Sequence, residues 1–140
     1  MFFRFKKIRY KIVWQKKYYK TKKRGDNLEY SKYKNKALEI SKNRIAHFNN
    51  LYKFKVNRIT IKNQKTRWGS CSKKGNLNFN YKIAILPQYL SDYIIVHELC
   101  HLGEFNHSKN FWSLVAKTIP NYKKIKKQFK TIHLYNKKPS

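Results

Sequence analysis

The sequence predicts an α+β domain with a small, mostly antiparallel sheet. Two alternating apolar stretches, RITIK (58–62) and NLNFNYKIAIL (76–86), lie between stretches of helical spacing. Strands are grouped and helices follow them, rather than alternating as in a parallel α/β fold. At 140 residues, with 41% hydrophobic and 16% aromatic content, the chain can bury one core.

Residues 2–14 space Phe3 and Phe5, then Ile8, Tyr10, Ile12 and Trp14, by two, with a slip at Lys6-Lys7. This predicts one or two strands, a bulge being one way to absorb the slip. Residues 16–27 are basic and end in Gly25-Asp26-Asn27, which predicts a loop. From about Tyr30 to Asn50, the positions of Tyr33, Ala37, Ile40, Ile45 and Phe48 predict an amphipathic helix with a lysine-rich outer face. RITIK is the next strand. KTRWGSCSKKG, with Gly69 and Gly75, reads as a turn leading into the strand over 76–86, which Pro87 ends. A helix then runs to about Leu102, capped by Ser91 or an earlier residue and stopped at Gly103. Ser108 is the expected N-cap of a helix carrying Phe111, Trp112, Val115 and Ala116, the first two expected in the core. Pro120 marks a boundary before a last amphipathic helix with Tyr122, Ile125 and Phe129. The expected organisation is a basic strand and loop segment over 1–28, a domain over 29–135, and a frayed end over 136–140.

No run of 18 apolar residues exists, which argues against a membrane-spanning helix. The start, MFFRFKKIRYKIVW, lacks the unbroken apolar stretch of a signal peptide. Cys71 and Cys100 do not make a disulfide framework, and a cytoplasmic protein with reduced thiols is expected. The formal charge of +28 has two explanations. One is a polyanion partner such as nucleic acid. The other is coding bias, because Lys, Asn, Ile, Tyr and Phe are all abundant and the lysines are spread along the chain.

The chain has five histidines and six carboxylates, yet three and two of these fall within HELCHLGEFNH, His97 to His107. His97 and His101 are four apart, so a helix places them on one face, where two imidazoles can reach one zinc ion. Glu98 is one step round, beside the metal without being an obvious ligand, as a general base for water must be. Shuffling this composition yields H-E-x-x-H in roughly one chain in 250. A catalytic zinc usually takes three protein ligands. His107 is the preferred third, since neutral imidazole suits zinc, and Glu104 is the alternative. For His107 to reach the metal, the chain must leave the helix after His101 and turn back, since a continuous helix would carry it away along the axis. The apolar run YIIVHEL implies that these polar groups are buried and need partners. His47 and His133 lie outside the pattern and are expected to be structural or at the surface.

TRWGSCSKKGNLNFN, LPQYLSDYIIVHELCHL, NHSKNFW and IPNY, in this order and spacing, resemble the YgjP-like metallopeptidase family, zincins of the wider SprT-like kind. The resemblance spans about residues 29–130. It implies a zincin-like fold, one zinc on His97, His101 and His107, Glu98 as catalytic glutamate, and hydrolysis of protein or peptide substrates. Cys100 stands where the family usually has a small residue such as Ala, so a thiol near zinc and a packed thiol are both open. Arg67, Ser70 and Asn80 are candidate substrate or oxyanion contacts, with the neighbouring strand offering its backbone to an extended peptide. Against these stand structural roles for the RWGSCS turn and a plain solvent face for Asn76, Asn78 and Asn80. In the expected mechanism Glu98 takes a proton from a zinc-activated water and passes it to the leaving amine. The alternative is a basic nucleic-acid-associated module with a structural zinc, or a peptidase acting on DNA-bound proteins.

Overall fold

A computed structural model of the chain describes residues 26–136. The strands expected within 2–14, most of the loop expected over 16–27, the side chain of His133 and the end beyond 136 lie outside what it describes. The order is α1 (Asp26–Tyr52), β1 (Arg58–Lys62), β2 (Gly69–Cys71), β3 (Asn76–Asn80), a 3-10 turn (Tyr81–Ala84), α2 (Gln88–Cys100), α3 (Lys109–Thr118) and α4 (Tyr122–Asn136). The α+β expectation holds. Among the described residues, no helix is long and apolar enough to cross a membrane.

Helix α1 turns Ala37, Ser41, Ile45 and Phe48 inward at spacings of three and four, which gives it one buried stripe. Buried Ser41 stays satisfied by donating to the Ala37 carbonyl at 2.7 Å. Neither Gly nor Pro stops this helix. Asn49 does, accepting from the Phe54 amide and donating to the Phe54 carbonyl, both at 2.8 Å. Lys53 adopts a φ of 55° to make the turn.

The sheet has the order β1-β3-β2. β1 runs parallel to β3, with Ile59 opposite Leu77 and Ile61 opposite Phe79. β2 runs antiparallel to β3, with Gly69 opposite Phe79. The sheet is therefore mixed, with one pairing of each kind. The loop after β1 carries the chain past the position of β3, so β2 forms the far edge and β3 returns between them. The expected turn over 65–75 contains β2, and the hairpin proper is Ser72 to Gly75, where the Gly75 amide donates to the Ser72 carbonyl at 3.0 Å. Gly75 has a φ of +80°, where a side chain is strained.

β3 stops at Asn80, six residues short of the expected end. The Asn80 side chain accepts from the Lys82 amide at 3.1 Å and so caps the 3-10 turn. Helix α2 begins after Pro87, and Ser91 is not its cap. Ser91 lies inside the first turn, where its hydroxyl donates to the Ile83 carbonyl at 2.8 Å. Leu90, Ile94, Ile95, Val96, Leu99 and Cys100 are all buried, so α2 is enclosed on nearly every side. It packs under the sheet and against α1, α3 and α4. Arg44 of α1 holds Asp92 of α2 through two bonds of 2.7 and 3.0 Å. Ser108 caps α3, accepting from the Phe111 amide as expected.

Leu77, Phe79, Leu99, Phe111 and Val115 are fully buried around α2. Leu99→Ala should cost about 2–5 kcal/mol, read as a lowered urea midpoint with an unchanged slope.

Candidate active site

Helix α2 presents His97 on its last full turn, and His101 caps its C-terminus. The chain then bends away. The Gly103 and Glu104 amides both donate to the Cys100 carbonyl, at 3.1 and 3.0 Å. This satisfies the helix end and returns the chain, so His107 faces back toward His97 just before Ser108 opens α3. The Nε2 atom of His97 lies 3.3 Å from that of His101 and 3.1 Å from that of His107. A tetrahedral ion with N–metal bonds of about 2.0–2.1 Å holds its nitrogens about 3.3 Å apart.

Hydrogen-bond chemistry agrees with that spacing. His101 Nδ1 lies 3.0 Å from the Glu104 carbonyl and must donate to it, which leaves the His101 Nε2 lone pair pointing at the other two rings. His97 Nδ1 is buried and has no hydrogen-bond partner among the described residues, so the polar engagement of that ring among them is through Nε2. A single N–H cannot satisfy three converging ring nitrogens, whereas a cation can. Burial first, then the neighbouring His101 and His107 and the Lys126 ammonium, push the His97 pKa down to about 3. His107 is pushed down by the same kinds of cause. Neutral rings are the form that binds a metal. These residues thus fit one ion, and together they form a group that could hold it. The Glu104 carboxylate is not in that group, and its contribution is the carbonyl that orients His101.

Glu98 faces the sheet from α2. It is 8% exposed, and burial pushes its pKa up to about 7 against the lowering influence of the Arg67 guanidinium. Its Cγ lies directly under Gly69, where a Cβ would stand only 2.7 Å away. Glu98 thus occupies the space between α2 and β2, which is an edge strand among the described residues. Burial and Glu98 push the Cys71 thiol, on the same side of β2, up to about 11.

The other expected contacts divide. Arg67 is exposed and close enough to Glu98 to act on it electrostatically. Ser70 alternates to the far side of β2 from Gly69 and Cys71, and accepts from the Asn78 side chain at 3.1 Å. Asn80 is 4% exposed, which rules out a plain solvent face, and its amide donates to the Gln64 and Arg67 carbonyls at 2.6 and 3.1 Å. That side chain thus holds the loop carrying Arg67. Cys100 is fully buried beside Tyr52, with its thiol pushed up to about 11 by burial, which makes it the packed thiol. His47 is at the surface, against Phe48.

Sequence reasoning missed the α4 side of the site. Phe111 is core, but Trp112 is only partly buried. Its ring stacks on His107 at 5.9 Å and on Tyr122 at 5.0 Å. Lys126 lies 4.2 Å above the Trp112 ring. The spacing of Tyr122 and Lys126 puts both on one helix face, but nothing in sequence says that this face meets His107.

The pattern of the YgjP-like metallopeptidase domain matches residues 4–132. The chain belongs to that family. It is a metallopeptidase, and its substrates are proteins or peptides. The crystal structure of the metallopeptidase zymogen of Pyrococcus abyssi abylysin is similar to it, with a TM-score of 0.59 and 25% identity over 65% of this chain and 92% of that one. The metallopeptidase zymogen of Methanocaldococcus jannaschii jannalysin superposes with a TM-score of 0.53 and 25% identity, over 69% of this chain and 94% of that one. No curated protein matches. The family and these neighbours agree with the zincin-like expectation.

Proposed function

We propose that this chain is a cytoplasmic zinc peptidase in which His97, His101 and His107 hold the ion and Glu98 is general base and then acid. The observation that carries the metal assignment is the approach of the His101 and His107 Nε2 atoms to that of His97, at 3.3 and 3.1 Å, with His101 locked in the tautomer that offers its lone pair. Bound zinc supplies Lewis acidity to the scissile carbonyl and to the attacking water. Glu98 does the proton work: as water oxygen bonds to the carbonyl carbon, its carboxylate takes the water proton. It then returns that proton to the amine nitrogen as the C–N bond breaks. A carboxyl with a pKa near 7 can perform both halves at neutral pH. Arg67 is the candidate to approach the developing oxyanion or a substrate carbonyl. The outer edge of β2, unpaired among the described residues, offers backbone groups to an extended peptide.

A structural zinc in a nucleic-acid module fits less well. Structural sites are usually closed by four protein ligands. Here three imidazoles converge, and a buried carboxylate with a tuned pKa stands beside them.

Elemental analysis tests the ligand set. Wild type and Glu104→Ala should hold about one zinc per chain, while His97→Ala and His107→Ala should lose it or bind it at least 10- to 100-fold more weakly. Full zinc in His107→Ala together with loss in Glu104→Ala would transfer the third bond to Glu104.

A further inference from the structure

A pocket of about 530 Å³ opens beside the metal-binding loop and apart from the three histidines. Its lining combines the apolar side chains of Phe54, Leu102 and Phe105 with the exposed lysines Lys55, Lys73 and Lys74. Among the described residues, no carboxylate lines it. Phe105 is 47% exposed, one of the few large apolar side chains left open to water among the described residues.

The lysines come from pinned backbone. The Asn57 amide donates to the Gly75 carbonyl at 2.8 Å, and the Ser72 amide donates to the Asn76 carbonyl at 3.0 Å. The Asn57 side chain also bonds Asn76 at 2.9 Å. The two loops that carry the three lysines are thus tied together at their backbone, which keeps the lysine stems side by side.

The pocket also has a defined place relative to Glu98. Gly69 lies over Glu98, and β2 runs from there to the Ser72–Gly75 turn that bears Lys73 and Lys74. At about 3.3 Å per residue, three to four residues of extended chain span that distance, roughly 10–13 Å. Leu102 and Phe105 belong to the segment between His101 and His107, so the same loop borders metal site and pocket.

We infer that this pocket is a specificity subsite that takes an acidic side chain of an extended substrate, three to four residues from the scissile bond. This rests on the peptidase reading. The lysines supply cations for a carboxylate, and the apolar side chains take an apolar neighbour. In this reading a peptide running along β2 passes from Glu98 toward the turn that bears Lys73 and Lys74. Single-stranded nucleic acid would also find charge here, but one exposed ring offers it no run of stacking platforms.

The test uses the zinc-loaded chain and a neutral peptide set in which one Glu is moved through positions two to six on either side of the cleaved bond. Cleavage efficiency should rise about tenfold at a spacing of three or four on one side only. Lys73→Glu with Lys74→Glu should remove that preference and favour Lys at the same position. Lys36→Glu with Lys42→Glu, exposed on α1 and of equal charge, should leave it unchanged. Binding is read separately by fluorescence polarisation on Glu98→Gln, comparing a Glu peptide with its Gln counterpart. If no peptide is cleaved but the Glu peptide binds about tenfold more tightly and loses this with Lys73 and Lys74, the peptidase reading fails and the subsite stands. Equal binding of both peptides overturns the subsite, as does equal loss in the α1 control. An oligonucleotide that binds more tightly than the Glu peptide and depends on Lys73 and Lys74 overturns it too.

Discussion

Glu98→Gln should abolish turnover while keeping the metal and stabilising the metal-free protein at neutral pH. Loss of a general base costs about 10²–10⁴ in kcat. Gln is nearly isosteric and touches none of the three converging nitrogens, so zinc content should equal that of wild type. The stability gain follows from burial. The unperturbed carboxyl titrates near 4.5, and the folded one near 7. Between these values the native state holds a proton that the unfolded state has lost, so wild-type stability falls as pH rises. At about 1.4 kcal/mol per pH unit this reaches roughly 3 kcal/mol above pH 7. His97 has the opposite sign. Its pKa is depressed to about 3, so its contribution is present above about 6.5 and lost as pH falls through the acid range. The difference between wild type and Glu98→Gln removes the His97 slope and leaves that of Glu98. Denaturation in chelator from pH 4 to 8 should show the two proteins converging at the acid end and separating toward pH 7. Parallel curves would mean that Glu98 is not desolvated in the fold, and wild-type turnover in the variant would end its assignment as base.

The convergence of the three histidines was legible because their spacing is a local property. An i,i+4 pair shares a helix face whatever the tertiary context, and Ser108 announced a new helix directly after His107. The bend between them was equally forced, since a continuous helix would have carried His107 away. What sequence concealed depends on contacts between distant segments. β2 is three residues long, too short for alternation to register, and one of them is glycine. Asn80 continued an alternating run, and only its bonds to Gln64, Arg67 and Lys82 reveal a cap. The parallel pairing of β1 and β3 depends on where the loop after Lys62 crosses, which periodicity does not encode. Lys126 reaches the site because α4 packs with that face toward Trp112. A pairing angle between helices is a tertiary quantity, and a lysine-rich helix gives no hint of which lysine meets Trp112.

Gly69→Ala should reduce kcat by about 10²-fold with zinc content unchanged, although Gly69 bears no functional group. The added Cβ would stand 2.7 Å from Glu98 Cγ, 3.0 Å from Glu98 Oε1 and 3.1 Å from the Asn78 carbonyl oxygen. That carbonyl belongs to β3, which is paired on both sides and cannot retreat. The Glu98 side chain must give way, and its Cγ, close to the helix backbone, has little freedom to swing. A shift near 1 Å in a proton-transfer group is enough for a hundredfold loss. Overpacking should also cost about 1–3 kcal/mol of stability, so the rate must be measured on folded, zinc-loaded protein at saturating substrate. The three heavy atoms nearest the new methyl belong to Glu98 and Asn78 and not to the histidines, which is why metal content separates this outcome from simple damage to the site. A fall in kcat with intact zinc would place the reacting proton between α2 and β2. An unchanged kcat would mean that the carboxylate need not stand under the edge strand during the reaction, and substrate docking along β2 would lose its closest geometric support.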